Sequence, residues 1–216
     1  MLSPMSDVRH LAAAAVVATL SLIGISSCQD GGKPAAQTPS PASTPLSSFD
    51  TENLRVLRDA FCSEIGPGAV SEALGGDAES SASYNNGEKA RISSRVRDVA
   101  HEFDCRWVAA DGTTAQAWVF APPVPPERGR LLARTAAREA GPGCTTLATA
   151  PDFGSPSAAV QCEEGGRLET SFHGLFGDAW LSCSLAGPAA GTDQAALLER
   201  AGRWCVTVVE AAAARG

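Results

Sequence analysis

The chain has 216 residues and a formal net charge of −7 at pH 7. The acidic excess persists after residue 27, because the first 27 residues contain one basic and one acidic residue, Arg9 and Asp7. A general nucleic-acid-binding protein needs a basic surface, so this charge excludes nucleic acid as the expected partner.

The chain begins with an apolar run, residues 11–25, that ends in two serines and a cysteine. A membrane-spanning helix needs roughly 20 residues, whereas the core of a signal peptide takes about 7–15. The run therefore predicts an export signal, and a plain cleaved secretory signal is the simplest form of it.

The residues at the end of this run, Ile25, Ser26, Ser27 and Cys28, resemble the lipobox of bacterial lipoproteins. The resemblance implies that residues 1–27 are a lipoprotein signal peptide and that Cys28 becomes the lipid attachment site, carrying a diacylglycerol with fatty acids such as palmitate. Two acyl chains suffice for stable anchoring. The expected location is the outer, extracytoplasmic face of the cell membrane, and the membrane itself is the first expected partner.

Residues 28–48 are dense in Pro, Ser, Thr, Gly and Ala and contain no aromatic residue. Such a composition cannot bury enough apolar surface to fold, so this segment is predicted to be a lipidated, disordered tether. About 20 residues of this kind span roughly 25 Å as a flexible coil. Residues 49–216 remain for a single extracytoplasmic domain.

The first element of this domain is predicted to be a helix over residues 50–65, because apolar residues recur there at helical spacing: Leu54, Leu57, Phe61, Cys62 and Ile65. A Gly-Pro-Gly sequence ends it, and a short second helical turn contains Val70, Ala73 and Leu74. Residues 77–98 are polar, so we expect a mobile loop there.

Two strands follow, over residues 104–108 and 115–121, joined through the hairpin sequence Asp111-Gly112. A helix is expected over residues 127–140. A meander of three strands occupies residues 158–162, 167–176 and 179–185. Thr192 is expected to cap a last helix that ends near Ala213. The order α-β-β-α-β-β-β-α predicts an α+β fold, an antiparallel sheet with helices packed on it.

Seven cysteines leave an even set of six once the lipid-bearing Cys28 is set aside: Cys62, Cys105, Cys144, Cys162, Cys183 and Cys205. Exported domains meet an oxidising environment, so an even set indicates a disulfide framework. Metal ligation is the alternative, but no two of these cysteines have the short spacing of zinc sites. Six cysteines permit 15 pairings.

The cysteine of the first predicted helix, its continuation IGPGAVSEALGG and the strand sequence Cys105-Arg106-Trp107 resemble the small actinobacterial surface lipoproteins of unknown function. The resemblance implies a surface module and a bond between Cys62 and Cys105. This sequence departs from that family in the polar insertion after Gly76 and in the extra pair Cys144 and Cys162. If each remaining cysteine bonds within its neighbouring unit, the other pairs are Cys144–Cys162 and Cys183–Cys205.

The sequence carries few signals of catalysis. His101-Glu-Phe-Asp-Cys105 begins like a zinc-protease helix but lacks the second histidine. Glu169, Ser171 and His173 share one face of a predicted strand, although adjacent positions on a flat strand are not expected to converge on one reacting atom. No catalytic, cofactor-binding or metal-binding residue is therefore predicted, and no cofactor.

Arg130, Arg134 and Arg138 recur at four-residue spacing on one side of the predicted helix. Such a line is usually a solvated helix face, and its functional alternative is a contact with an anionic wall polymer or phospholipid. Together these features predict a membrane-anchored, non-catalytic binding or accessory module with an envelope protein, lipid or wall polymer as ligand. The alternatives are an envelope-directed hydrolase with an unrecognised active site and a passive spacer.

Overall fold

A computed structural model describes residues 43–92, 95–139 and 141–213 of the chain. The predicted signal peptide, the predicted lipid attachment site Cys28 and most of the predicted tether lie outside the described residues. The fold class is α+β, as predicted: within the described ranges a seven-stranded antiparallel sheet packs with three α-helices.

The elements follow one another along the chain, with two short 3-10 helices at Leu46–Ser48 and Cys62–Glu64 preceding the rest. They are α1 (Pro67–Leu74), β1 (Ala78–Tyr84), β2 (Lys89–Arg91), β3 (Arg97–Val99), β4 (Glu102–Ala109), β5 (Thr114–Phe120), α2 (Pro126–Glu139), β6 (Cys144–Thr146), β7 (Ser157–Glu164), β8 (Arg167–Phe176), β9 (Ala179–Pro188) and α3 (Gln194–Ala212).

The strands of the large sheet lie in the order β1-β4-β5-β9-β8-β7-β6, and each neighbouring pair is antiparallel. Strands β2 and β3 form a separate hairpin between β1 and β4. We call the described part of this hairpin, residues 89–92 and 95–99, the arm.

One face of the sheet carries the main core, because alternate side chains of every central strand are apolar. Phe103, Val119, Leu181 and Phe172 point to this face and are buried against α3 and its neighbours. On α3, the buried Trp204 stacks edge-to-face on Trp107, with 5.5 Å between the ring centroids. We call this face the apolar face.

Helix α2 packs on part of the opposite face, where Ala133 meets Leu175 and Trp180. Gly129 allows the close approach, because a Cβ there would lie 2.8 Å from Cδ2 of Leu175. Leu131 of α2 is exposed and does not pack on the sheet. The rest of this face carries hydrophilic side chains beside some apolar ones, such as Val108 and Val160, and we call the whole face the polar face.

The six cysteines form three disulfides, Cys62–Cys105, Cys144–Cys162 and Cys183–Cys205. This pairing is the predicted one. Two of the bonds join the sheet to elements on the apolar face, whereas the third joins the short edge strand β6 to β7.

The predicted helix over residues 50–65 is wrong. This segment is irregular apart from the short 3-10 turn at Cys62–Glu64. Val56 forms a bridge with Ala213, and the Leu57 N–H donates to the Ala212 carbonyl at 2.8 Å. Backbone groups that would pair within a helix are therefore hydrogen-bonded to the end of α3 instead. Leu57, predicted to face the core, is 50% exposed.

The mobile loop expected over residues 77–98 is also wrong, since β1 and the arm occupy it. Strand β1 pairs with β4 along its whole length, from Ala78 opposite Ala109 to Tyr84 opposite Asp104. Its backbone is held by β4 even though its side chains are small or polar.

The remaining differences concern boundaries. Asp193, and not Thr192, caps α3 by accepting from the Ala196 N–H at 2.8 Å, while the Thr192 hydroxyl donates to the Pro188 carbonyl. Strand β6 was not predicted. Leu46 is buried against Gly202 of α3, so the packed part of the chain begins a few residues before Phe49.

Candidate functional site

The uncovered part of the polar face lies on β1, β4 and β5. Strand alternation creates it: Glu102, Asp104 and Arg106 of β4 point away from the apolar face, while Phe103 and Cys105 between them are buried in the core. Register then brings Tyr84 of β1 and Trp118 of β5 to either side of Asp104. The side chains of three neighbouring strands are thus gathered at one place.

A cleft of about 570 Å³ lies over these strands and is closed on one side by the arm. The chain after β1 turns back over the sheet, so that residues of β2 face the floor formed by β4 and β5. The lining residues are Ala82, Ser83, Tyr84, Glu88, Lys89, Ala90, Arg91, Ile92, Asp104, Arg106 and Gln116.

Asp104 forms part of the floor of this cleft, and it is only 5% exposed. The Gln116 side-chain amide donates to its two carboxyl oxygens, at 2.8 and 3.3 Å. Burial raises the pKa of Asp104 to about 6, and the Glu102 charge adds to the rise, whereas the Gln116 hydrogen bond and the Arg106 charge oppose it. Asp104 can therefore hold or release a proton near neutral pH.

Tyr84 stands beside this carboxyl group and donates its hydroxyl proton to Oε1 of Glu102 at 2.8 Å. Burial, followed by this hydrogen bond, raises the pKa of Tyr84 well above its ordinary value. The phenol therefore stays neutral and donates to Glu102, which does not itself line the cleft.

A second polar group lies further along the same face, on β8 and β9. The His173 ring contacts the Ser182 hydroxyl through Nδ1, and its Nε2 lies 3.1 Å from Oγ of Ser171. Burial lowers the pKa of His173 to about 4, so the ring is neutral at ordinary pH. The structure thus brings Ser171 and His173 together, which the sequence analysis did not expect.

This serine–histidine group is not a complete catalytic triad. Among the described residues Glu169 forms no hydrogen bond with His173, and the place of an orienting carboxylate is taken by Ser182. His101 lies exposed just before β4. The described part of the chain contains no group of three metal-ligating side chains.

The three arginines of α2, Arg130, Arg134 and Arg138, are exposed along the helix. Arg134 borders a shallow groove of about 280 Å³ between α2 and the segment before β7. The arginines lie on a different element from the cleft residues and do not line it.

A smaller apolar cavity of about 190 Å³ lies where the domain begins, between residues 45–47 and α3. Leu46, Phe172 and Leu198 contribute to its lining. Its few polar neighbours leave it without the convergent hydrogen-bonding groups of the cleft.

The sequence analysis missed every residue of the cleft floor. The signal was present in Glu102-Phe-Asp-Cys-Arg106, where charged and apolar residues alternate and so place three charges on one strand face. Comparing the segment with a zinc-protease helix obscured that alternation.

No protein-family model matches this chain, and no curated protein matches it at a significant level. Over the residues that the structure describes, no helix has both the length and the apolar character needed to cross a membrane.

Proposed function

We propose that this chain is a membrane-anchored extracytoplasmic lipoprotein whose folded domain is a non-catalytic binding or accessory module. The lipobox residues and the even set of disulfide-bonded cysteines support export and anchoring. The resemblance to small actinobacterial surface lipoproteins points the same way.

The observation that carries the binding role is the cleft over β1, β4 and β5. Its floor combines a buried carboxyl group, a fixed amide and a neutral phenol, while Lys89 and Arg106 supply positive charge. Preformed pockets with a few convergent polar groups are the usual sites of small-ligand binding. The ligand class that fits is a polar envelope compound with an anionic group, such as a lipid headgroup or a unit of wall polymer.

The arginines of α2 provide a second, weaker contact for the same class of ligand. Their spacing suits an extended polyanion, since guanidinium groups bind phosphate and carboxylate in a bidentate manner. These arginines do not line the cleft, so they would hold one part of a polymer while its terminal unit occupies the cleft.

The test is native mass spectrometry of the full lipoprotein released from its own membrane. We expect a ligand mass on the wild-type protein and its loss from the Asp104→Ala variant. Ser184→Ala, a change on β9 outside the cleft, is the matched control and should retain the mass. Equal occupancy of the wild-type and Asp104→Ala proteins would refute the cleft as the site.

Anchoring is tested separately with Cys28→Ala. Loss of the lipid should release the protein from the membrane fraction, and the N-terminal peptide should lack the acyl mass. Membrane retention of this variant would exclude Cys28 as the anchor without bearing on the cleft.

A second candidate function, hydrolysis of envelope material, is favoured by one observation. Glu102 and Asp104 are carboxyl groups on the same strand face, and the raised pKa of Asp104 suits a general acid. A hydrolase would release products from purified wall polymer and lose that activity in Asp104→Asn. A binding module would retain the polymer unchanged.

A further inference from the structure

The floor of the cleft holds a carboxyl group whose hydrogen-bonding capacity is largely unused. Asp104 is 5% exposed, and among the described residues the Gln116 amide is the only donor to its carboxyl oxygens. An ionised carboxylate offers about four acceptor positions. Within the described ranges no lysine or arginine forms an ion pair with it. A buried charge without a cation partner is costly, so a donor from a ligand would stabilise this carboxylate.

Positive charge lies beside the same carboxyl group. Arg106 is two residues further along β4 on the same strand face, which sets its Cα about 7 Å from that of Asp104. Lys89 lines the cleft from the arm. Over the part of the chain that the structure describes, neither Lys89 nor Arg106 forms an ion pair. These two exposed cations are therefore available to an anionic group of a ligand.

A ligand with an anionic group alone fits this arrangement poorly. An anion held by Arg106 and Lys89 stands beside Asp104, and an ionised Asp104 repels it. A protonated amine on the same ligand removes that repulsion, because its N–H groups donate to the carboxyl oxygens and its charge offsets theirs. A hydroxyl group would fill an acceptor position but would not offset the charge. The neighbouring charges of opposite sign thus favour a ligand that carries both signs.

The positions of the two cations favour phosphate as the anionic group. Arg106 belongs to the floor of the cleft, whereas Lys89 belongs to the arm that closes one side of it. A planar carboxylate is matched by the fork of a single guanidinium group. The free oxygens of a tetrahedral phosphodiester point in different directions, which suits two cations on separate elements.

We propose that the cleft binds a zwitterionic group, a phosphodiester joined to a protonated amine, with the amine on Asp104 and the phosphate on Arg106 and Lys89. This inference rests on the proposed function of the cleft and makes its ligand class more specific. Such a group can belong to a phospholipid or to an amino-bearing unit of wall polymer. Both sources present the same chemistry to the cleft.

The test compares two probes by isothermal titration calorimetry on the full chain in detergent. Glycerophosphoethanolamine carries the phosphodiester and the amine, whereas glycerophosphoglycerol carries the phosphodiester with hydroxyl groups in place of the amine. The wild-type protein should bind the first probe about tenfold more tightly, the effect of one hydrogen bond between charged groups. Asp104→Asn should remove this preference. Glu169→Gln, which changes an exposed carboxylate on β8 outside the cleft, is the matched control and should keep it.

The pH dependence separates the two probes by its sign. The amine requires an ionised Asp104, so the affinity of the ethanolamine probe should rise as the pH increases through about 6, the pKa of Asp104. The affinity of the glycerol probe should fall over the same range, because an ionised Asp104 repels its phosphate. Both slopes should be absent in Asp104→Asn.

The other groups around this carboxyl do not produce such a pair of slopes. From β5 it meets the neutral side chains of Gln116 and Trp118. The charged or titratable groups that face it are Glu102 and Arg106 on β4, Tyr84 on β1, and Glu88, Lys89 and Arg91 across the cleft. None of them is a histidine, the side chain whose ordinary pKa lies in this range.

Arg106→Gln should weaken the binding of both probes, because it removes a phosphate contact. Equal affinity for the two probes, or no binding of the ethanolamine probe, would overturn the zwitterionic ligand. Neither result decides whether the cleft is a binding site, since loss of the native ligand mass from Asp104→Ala tests that separately. The mass retained by the wild-type protein identifies the source: a phospholipid includes its acyl chains, whereas a wall polymer gives a series spaced by its repeating unit. A circular dichroism spectrum unchanged in each variant shows that a loss of binding is not a loss of folding.

Discussion

Phe172 and His173 are neighbours on β8, yet they lie in opposite environments because successive side chains of a strand point to opposite faces. Phe172 is 1% exposed and packs edge-to-face on Phe153 in the main core. His173 faces Ser171 and Ser182, on the face that also bears Asp104. One face thus supplies stability, whereas the other holds ionisable groups in partly buried positions, which costs stability.

The largest effect is expected from the apolar face. Phe172→Ala should lower the free energy of unfolding by about 3–5 kcal/mol, because it removes a buried ring and leaves a cavity. Denaturant titration of the full chain measures the change. A loss below 1 kcal/mol would mean that the two faces contribute more equally than their packing indicates.

The second largest effect is expected from removing the Cys183–Cys205 bond, which joins β9 to α3 across the same core. Replacing both cysteines with alanine should cost roughly 3 kcal/mol, because a closed loop of about 22 residues is released in the unfolded chain. Thermal unfolding of the double variant and of the wild type, both without reductant, checks the value, because a reductant would open all three disulfides. A double variant as stable as the wild type would show that the core alone holds α3.

The ionisable groups of the polar face should make the stability of the protein depend on pH. Asp104 has a folded-state pKa of about 6 against an ordinary 3.8, so the folded state holds this proton more tightly and stability falls as pH rises between those values. His173 has a folded-state pKa of about 4 against 6.5, so stability falls instead as pH drops through that range. In the wild-type protein the two effects oppose each other over most of the same window.

Single substitutions separate the two titrations. Asp104→Asn should be more stable than the wild type at pH 7 by an amount on the order of 2 kcal/mol, and its stability should rise between pH 4 and 6.5. His173→Gln should show the reverse slope. Curves parallel to that of the wild type would show that neither group titrates as its burial requires.

The smallest effect is expected from Tyr84→Phe, which removes from the cleft lining the hydroxyl that donates to Glu102. Stability should fall by about 1 kcal/mol, the net value of such a bond. The binding free energy obtained from ligand occupancy in native mass spectrometry should fall by more than the free energy of unfolding does. Equal losses of the two free energies would indicate that Tyr84 supports the fold rather than the cleft.

Sequence patterns predicted those helices and strands in which apolar residues recur with the period at which side chains are buried. Alternating or helical apolar residues predict strands β4, β5, β7, β8 and β9 and helices α2 and α3. The cysteine pairing had another source: the family resemblance implied Cys62–Cys105, and the other two pairs followed from the assumption that each cysteine bonds within its neighbouring unit. The pattern failed at residues 50–65, where helical spacing was genuine but the end of α3 competes for the backbone groups of Val56 and Leu57. Tertiary contacts of this kind cannot be predicted from the local sequence.

Strand β1 was missed for the opposite reason. It has no apolar alternation, since its residues are held by backbone hydrogen bonding to β4 and not by side-chain burial. The cleft depends on β1 and on the arm turning back over β4. The alternation from Glu102 to Arg106 indicated a charged strand face, but without β1 in place Tyr84 could not be recognised as the neighbour of Asp104.

Gln116 joins the two faces of the sheet through a single residue. Its side chain holds Asp104 in the cleft, while its backbone carbonyl accepts the indole N–H of Trp204 at 3.1 Å on the other side. Indole emission responds to the polarity and hydrogen bonding of its surroundings, so occupation of the cleft should alter the fluorescence of a tryptophan that no ligand touches. We therefore expect Trp204 to serve as an intrinsic optical probe of the cleft, so that titrations can be followed without any added label.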